Sequence, residues 1–243
     1  MKSSIFAFIL LTLSALCAVS STSSAGEGDK DKKEMKIPPN VPKEVRDMIK
    51  RVRMLDEKDA YKELVRGIQA GNKTRVKVIL FVFPAFFNQP DTFGRTPLYN
   101  AIFALKKDLV KYFIAKGANI KKADVDGNTP LHRAAANGDV EIIKMLLDKG
   151  ANIYLRNKQG RTPVFYAASQ GRAKAVEFLI SQGARANKKD TREDTPLHLA
   201  VMSGDADTVK VLLKHGADTA AKNKRGKTPA DLARDQAIGN LLK

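Results

Sequence analysis

The dipeptide Thr-Pro recurs at a constant interval of 33 residues, and this periodicity constrains the fold more than any other feature of the sequence. It occurs at Thr96-Pro97, Thr129-Pro130, Thr162-Pro163, Thr195-Pro196 and Thr228-Pro229. The dipeptide Gly-Ala follows the same interval, with its glycines at Gly117, Gly150, Gly183 and Gly216. Two independent markers that share one period predict stacked copies of a single structural unit.

One copy shows what the unit folds into. Thr129 is placed to cap a helix whose first residue is Pro130, where the missing N–H of proline costs nothing. After a glycine turn, Ile142, Ile143 and Leu146 stand at the spacing of one apolar helix face. Gly150 then ends this second helix. The sequence therefore predicts a pair of helices in each 33-residue unit.

The pattern formed by these residues, TPLHxAA followed by LLxxGA, resembles the ankyrin repeat. The resemblance extends from residue 60 to the C-terminus. It is nearly complete in residues 124–156 and 190–222, good in residues 157–189 and fair in residues 91–123.

Four residues depart from the ankyrin pattern. Phe165 and Tyr99 stand where the usual residue is the histidine of TPLH. Leu105 and Glu193 stand where a turn glycine is usual. Because all four positions belong to loops or support them, the departures affect the expected loop geometry and leave the expected fold unchanged.

The resemblance implies an all-α repeat solenoid, an ankyrin stack of helix-turn-helix units with β-hairpin fingers. It also implies a non-enzymatic module, without a cofactor, that binds proteins through its fingers and concave face. His132 and His198 occupy the TPLH position, where the family uses the ring to brace the loop by hydrogen bonds.

The expected organisation follows from these patterns. It is a signal peptide at 1–25, a disordered linker at 26–42, an amphipathic helix at 43–58, an N-terminal capping repeat at 59–90, ankyrin repeats at 91–123, 124–156, 157–189 and 190–222, and a C-terminal capping half-repeat at 223–243.

The first 25 residues have the pattern of a secretory signal peptide. Lys2 is followed by an apolar run at 5–19 and by small residues before Ala25. Cleavage is expected near Ala25, with a second site after Ser20, whereas an uncleaved anchor is disfavoured because the apolar run is short for a membrane span. Since Cys17 is the only cysteine, the mature chain would contain no thiol. We expect an exported protein, first in a bacterial periplasm and second as a secreted effector.

The stretch FVFPAFFNQP at 81–90 concentrates aromatic residues beside two prolines. Alignment on the following Thr-Pro places it in the first finger, so Phe81, Phe83, Phe86 and Phe87 would form an aromatic finger. One interpretation is that the rings cover the apolar face of the helix at 43–56 as an N-terminal cap. The alternative is an exposed tip that binds a partner. The same basic helix can also lie on a membrane surface.

Basic residues recur near the finger of successive repeats and predict a surface for a partner. The formal net charge is +17, and residues 26–59 hold 10 basic and 9 acidic residues, so the excess belongs to the remainder of the chain. The candidate partner-binding residues are Phe93, Arg95, Phe103, Lys122, Arg156, Lys158, Arg161, Lys189, Arg192, Lys224, Arg225 and Lys227. A basic ridge of this kind attracts an acidic protein surface, although the same charges can simply keep an edge soluble.

The sequence contains no pattern that indicates catalysis or metal binding. Its three histidines have no metal-ligand spacing near them, and no phosphate-binding loop or Gly-x-Ser-x-Gly motif is present. A nucleic-acid partner is disfavoured because the basic ridge lacks interleaved aromatics. We therefore expect a monomeric, non-catalytic protein-binding module without a small-molecule substrate. The alternative functions are an envelope-associated module that binds acidic polymers or lipid surfaces, and a secreted effector that binds a host protein.

Overall fold

The computed structural model describes residue 37 and residues 40–243, and these residues divide into two compact units. The first unit ends at Gln89 and the second runs from Pro90 to Lys243. The expected signal peptide and most of the expected linker lie outside the described residues. Within the described residues no strand forms, so the described part of the protein is all-α.

The first unit contains three α-helices and a short 3₁₀ helix. They are α1 (Lys43–Arg53), α2 (Glu57–Ala70), α3 (Lys73–Val82) and the 3₁₀ helix Pro84–Phe87. The side chain of Asp56 caps α2, and the side chain of Asn72 caps α3. Helix α1 packs against α3, and it ends at Arg53 rather than at the expected residue 58, because the Asp56 cap starts a new helix.

The second unit contains four helix pairs and a shorter C-terminal element. The pairs are α4 (Pro97–Phe103) with α5 (Lys107–Ala115), α6 (Pro130–Asn137) with α7 (Val140–Asp148), α8 (Pro163–Ser169) with α9 (Ala173–Ser181), and α10 (Pro196–Ser203) with α11 (Ala206–Lys214). The C-terminal element is a 3₁₀ helix, Ala230–Leu232, followed by α12 (Gln236–Leu241).

The helix pairs stack in two layers, as an all-α repeat solenoid requires. The first helices, α4, α6, α8 and α10, pack on one another in that order, and the second helices, α5, α7, α9 and α11, form the other layer. In each layer, at least one repeat position is fully buried in all four helix pairs. Phe113, Leu146, Leu179 and Leu212 fill that position in the second layer and are all fully buried. Since the same position is buried in every copy, each repeat covers the apolar face of its neighbour.

The aromatic stretch is not a finger. Phe81 lies inside α3, which ends at Val82 because the residue before a proline avoids the helical conformation and Phe83 precedes Pro84. Phe83 and Phe86 stack with ring centroids 4.8 Å apart, and Phe86 meets the Tyr61 ring edge-on at 5.3 Å. Phe81, Phe83 and Phe86 are buried, and Phe87 is partly buried. The rings therefore belong to the core of the first unit.

Candidate functional site

Each repeat presents a five-residue turn directly before its Thr-Pro dipeptide, and we call these segments the tip turns. They are residues 91–95, 124–128, 157–161, 190–194 and 223–227. They stand where β-hairpin fingers were expected. Each turn is closed at its base by one backbone hydrogen bond, such as Asp91 N to Arg95 O at 2.9 Å. The described residues on either side of these turns form no strands, so the fingers are compact turns rather than β-hairpins.

An aspartate or asparagine folds each tip turn. The side chain of Asp91 accepts hydrogen bonds from the backbone N–H groups of Phe93 and Arg95, both at 2.9 Å. Equivalent pairs of bonds reach the side chains of Asp124, Asn157, Asp190 and Asn223. Aspartate and asparagine suit this position because their short side chains bond the backbone two residues further on. These residues also recur every 33 positions, a signal that our interpretation of the sequence missed.

Backbone hydrogen bonds join each tip turn to the next. Val125 N donates to Phe93 O at 2.9 Å, and Lys158 N donates to Asp126 O at 3.0 Å. The same bond joins Thr191 to Gln159 and Lys224 to Arg192, each at 2.9 Å. The five tip turns therefore form one continuous row held by the backbone.

Histidine braces the tip turns from below in two of the repeats. His132 Nδ1 accepts a hydrogen bond from the backbone N–H of Thr129 at 3.1 Å, so its Nε2 carries the proton and donates to the carbonyl of Arg161 at 3.0 Å. His198 makes the same contacts to Thr195 and to Lys227 O. Burial lowers the pKa of His132 to about 4, because the charged ring would lose its hydration. The ring is therefore neutral at physiological pH.

The two repeats without this histidine use other residues. Tyr99 donates its hydroxyl hydrogen to Asp124 Oδ2 at 2.8 Å, which links the first repeat to the second tip turn. Phe165 is fully buried and apolar, and in its repeat the Arg161 guanidinium bonds Asp190 Oδ2 at 2.8 Å. The Asp190 carboxylate is almost fully buried, and removing one partner of such a pair costs about 3–5 kcal/mol.

Three of the candidate partner-binding residues support the fold. Arg161 is held by the buried Asp190. Arg156 donates to the carbonyls of Gly160 and Lys189, both at 2.8 Å, and Lys189 donates to the carbonyl of Lys222 at 2.9 Å. Arg156, Lys189 and Lys222 occupy one repeat position. Arg156 and Lys189 therefore each donate to the carbonyl of the equivalent residue in the following repeat. Their side chains join neighbouring repeats.

The other candidates lie at or near the surface of the second unit. Phe93 and Phe103 are 55% and 45% exposed, and Arg95 is partly exposed between them. Six lysines and arginines are exposed, and none of them forms an ion pair with a described residue. They are Lys122, Lys158, Arg192, Lys224, Arg225 and Lys227.

The exposed residues change in character along the row of tip turns. The first two tips present Phe93 and Val125, which are 55% and 50% exposed. The last three tips present Lys158, Arg192 and the pair Lys224 and Arg225. The row therefore has an apolar end and a basic end. The sequence had predicted a basic ridge without this distinction between its two ends.

Three of the five residues predicted to form the apolar face at 43–56 are buried. They are Val45, Ile49 and Val52, whereas Met48 and Leu55 are partly exposed. The exposed residues of α1 include Lys50 and Arg51. A helix that lies on a membrane needs a free apolar face, so contact of this segment with a membrane surface stays a prediction.

No helix among the described residues has the length and apolarity needed to span a bilayer. Nor do they contain a group of three or more histidine, cysteine, aspartate or glutamate side chains arranged to hold a metal ion.

Comparison with known families agrees with the geometry of the repeats. The model of the family described as ankyrin repeats, in three copies, matches residues 64–157 and 151–223. These matches cover more than half of the chain, and the protein belongs to the ankyrin repeat family. Members of this family generally mediate protein–protein interactions and are typically not enzymes. A comparison with curated proteins finds no match.

Proposed function

We propose that this protein is an exported, non-catalytic module that binds a protein partner through its tip turns and the adjoining face of its first helices. One observation carries the proposal. The fold uses the aspartates, asparagines and backbone of the tip turns. At their outer ends, Phe93 and Val125 stay about half exposed, and the exposed lysines and arginines form no ion pair with a described residue. Exposed apolar side chains next to unpaired cations are typical of a binding surface.

The partner is expected to have an acidic surface. The basic end of the row contributes exposed charges that form no ion pair with a described carboxylate, namely Lys158, Arg192, Lys224, Arg225 and Lys227. Such charges raise the rate of association with a partner of opposite charge. They supply orientation and speed, whereas the apolar end supplies area that is removed from water on binding.

Site-specific cross-linking tests this assignment of the binding face. A photoreactive amino acid is placed at Phe93 or Lys224, and in a control at Lys144, which is exposed on α7. In the source cell, the tip positions should yield a discrete protein adduct that the control does not yield. Adducts that form equally well from Lys144 would place the binding face elsewhere.

A second candidate function is binding to an acidic polymer, and the basic end of the row favours it. Binding that falls steeply as salt increases and shows little structural selectivity would indicate a polymer. Saturable binding to one protein that persists at moderate salt would indicate the first function. Recognition of a host protein by a secreted form would use the same face and would appear as a host-derived adduct.

Export and oligomeric state are separate parts of the proposal. Mass spectrometry of the protein from its source cell should find a new N-terminus at Gly26 or Ser21, and an intact Met1 in the soluble fraction would contradict export. We propose a monomer, because the apolar faces of the repeats are buried against one another. Sedimentation equilibrium should then give the mass of a single chain.

A further inference from the structure

Two exposed phenylalanines and two partly exposed arginines form a cluster at the apolar end of the row, which we call the arginine–phenylalanine patch. It consists of Phe93, Arg95, Phe103 and Arg133. The guanidinium carbon of Arg95 lies 4.8 Å from the centre of the Phe93 ring and 5.1 Å from that of Phe103. The guanidinium carbon of Arg133 lies 4.1 Å from the centre of the Phe103 ring. The Phe103 ring thus contacts both cations.

The two guanidinium groups have no carboxylate of their own. Neither Arg95 nor Arg133 forms an ion pair with any residue that the structure describes, and the buried Nε atom of each has no hydrogen-bond partner there. The nearby Asp124 is already used, because it accepts bonds from Tyr99, from Asn128 and from the backbone of its own turn. Two cations that lie close together without a counter-charge are unfavourable unless a ligand supplies one.

The rings are held in place although they are exposed. Phe103 ends helix α4, and the carbonyl of Phe93 accepts the backbone bond from Val125 that joins the first two tip turns. Cation–π contacts with Arg95 fix the orientation of both rings further. Because these side chains are ordered before a partner arrives, binding loses less conformational entropy than it would with mobile side chains.

We propose that the arginine–phenylalanine patch is a docking site for a partner segment that carries a carboxylate next to an apolar side chain. The proposal rests on the protein-binding function and assigns the chemistry of one of its contacts. The planar guanidinium groups match the geometry of a carboxylate, which they bind in a bidentate manner. The exposed Phe93 and Phe103 rings cover the adjoining apolar side chain, and buried aromatic and arginine contacts dominate many protein interfaces.

The patch differs from the basic end of the row in the ligand that suits it. The lysines and arginines of the basic end belong to tip turns that contain no aromatic residue, and they attract negative charge of any kind. The patch combines two cations with two aromatic rings. A ligand therefore needs an apolar group as well as a negative charge to contact all four side chains. A carboxylate-bearing peptide with an apolar neighbour fits both parts of the patch.

A displayed peptide library tests this inference on the full-length chain. A library of random dodecapeptides is selected against the immobilised protein, and the recovered peptides are synthesised for affinity measurement by fluorescence anisotropy. We expect recovered sequences in which Asp or Glu stands beside an apolar residue. Replacing that acid by its amide in the peptide should weaken binding about tenfold or more.

Matched protein variants locate the contact. Arg133→Gln and Phe103→Ala should each weaken binding of the same peptides about tenfold or more. The control Arg46→Gln, at an exposed arginine of α1, should leave the affinity unchanged. Circular dichroism of each variant should match that of the unmodified chain, so that lost binding reports the contact. Arg133→Lys should not restore full affinity, because an ammonium group lacks the bidentate geometry.

The remaining outcomes separate this inference from the proposed function. Peptides that bind equally well to the Arg133→Gln and Phe103→Ala variants would overturn the inference, and the binding function would remain. Peptides whose binding is lost only in the Arg225→Gln variant would also overturn the inference, and they would identify the basic end as the contact. If no peptide is recovered, the inference fails, and the cross-linking experiment still decides the binding function independently.

Discussion

The first and second repeats show how one architecture accommodates different surfaces. The second repeat has His132 beneath its tip turn and Gly138 between its helices, whereas the first has Tyr99 and Leu105 at those positions. The first repeat also bears the exposed Phe93 and Phe103, while the second has Asp126 and the buried Ala136 there. The repeat that departs most from the family pattern thus bears two exposed phenylalanine rings at positions where the second repeat has none. The helix layers form in both repeats although Tyr99 replaces the histidine. In the first repeat the Tyr99 hydroxyl donates to Asp124, and this bond replaces the histidine contact.

The core position shared by the two repeats should show the largest effect of substitution. Phe113 and Leu146 are equivalent and fully buried. Phe113→Ala is expected to lower the free energy of unfolding by about 3–5 kcal/mol, and Leu146→Ala by about 2–5 kcal/mol, because each leaves a cavity. Urea denaturation monitored by circular dichroism measures both values. An unchanged midpoint for either variant would contradict the repeat register.

The pH dependence of stability should distinguish the second repeat from the first. The folded-state pKa of His132 lies at about 4, below its ordinary value of 6.5, so the unfolded chain binds more protons as the pH falls between these values. The stability associated with this ring is fully present above pH 6.5 and should decrease by roughly 3 kcal/mol by pH 4. Urea denaturation across this range measures the loss.

A control for this pH effect exists in the third repeat, where Phe165 fills the same position. The variant His132→Phe should lose the part of the pH dependence that arises from this ring. Burial and the hydrogen bond to Asp124 raise the pKa of Tyr99, so the equivalent side chain of the first repeat does not titrate in this range. Equal pH profiles for the unmodified chain and His132→Phe would show that the ring does not titrate as described.

The tyrosine bridge of the first repeat should contribute less. Tyr99→Phe removes the hydroxyl that donates to Asp124, and we expect the free energy of unfolding to fall by about 1–2 kcal/mol. The loss is limited because Asp124 keeps its bonds from the backbone of its own turn. Tyr154→Phe offers a comparison at a ring that is 54% exposed and whose hydroxyl makes no hydrogen bond with a described residue. A loss of stability no larger than that of the comparison variant would show that the hydrogen bond from Tyr99 to Asp124 does not stabilise the fold.

The turn between the helices should give the smallest effect, with opposite signs in the two repeats. Leu105 has a φ of 58°, a conformation that costs a side chain with a Cβ about 1–2 kcal/mol, and it is 68% exposed. Leu105→Gly should therefore raise the free energy of unfolding by about 0.5–1 kcal/mol. Gly138→Ala should lower it, because a Cβ there would meet Arg172 Cδ at 2.8 Å. Thermal denaturation compares the two, and a destabilised Leu105→Gly variant would contradict the strain.

The repeat architecture could be predicted from the sequence, because each repeat is a local structure whose markers are close together. Thr-Pro and Gly-Ala fix the helix ends, and the family match confirms the ankyrin fold. The role of the aromatic stretch could not be predicted in the same way. Alignment with the later repeats placed the stretch in a finger, whereas Phe81 continues α3. Phe86 packs against Tyr61, which lies 25 residues earlier in the sequence. Contacts at that separation depend on how the helices pack.

The candidate surface could be predicted only in part for a similar reason. Arg156 and Lys158 look alike in the sequence, yet the first bonds a carbonyl 33 residues away and the second has an exposed side chain without an ion pair. Only the position of the next repeat decides between these roles. The contact of Phe103 with Arg133 likewise joins two helices of different repeats, so the sequence indicated the residues but not the patch.

The backbone bonds between tip turns have a consequence for the evolution of this protein. Each junction uses only an N–H and a carbonyl, which every residue except proline provides, so the junction places no demand on side-chain identity. The residues that supply the accepting carbonyls are accordingly unrelated: Phe93, Asp126, Gln159 and Arg192. A copy of one unit can be gained or lost without a new junction chemistry, and each tip can acquire a different specificity while its neighbours keep theirs.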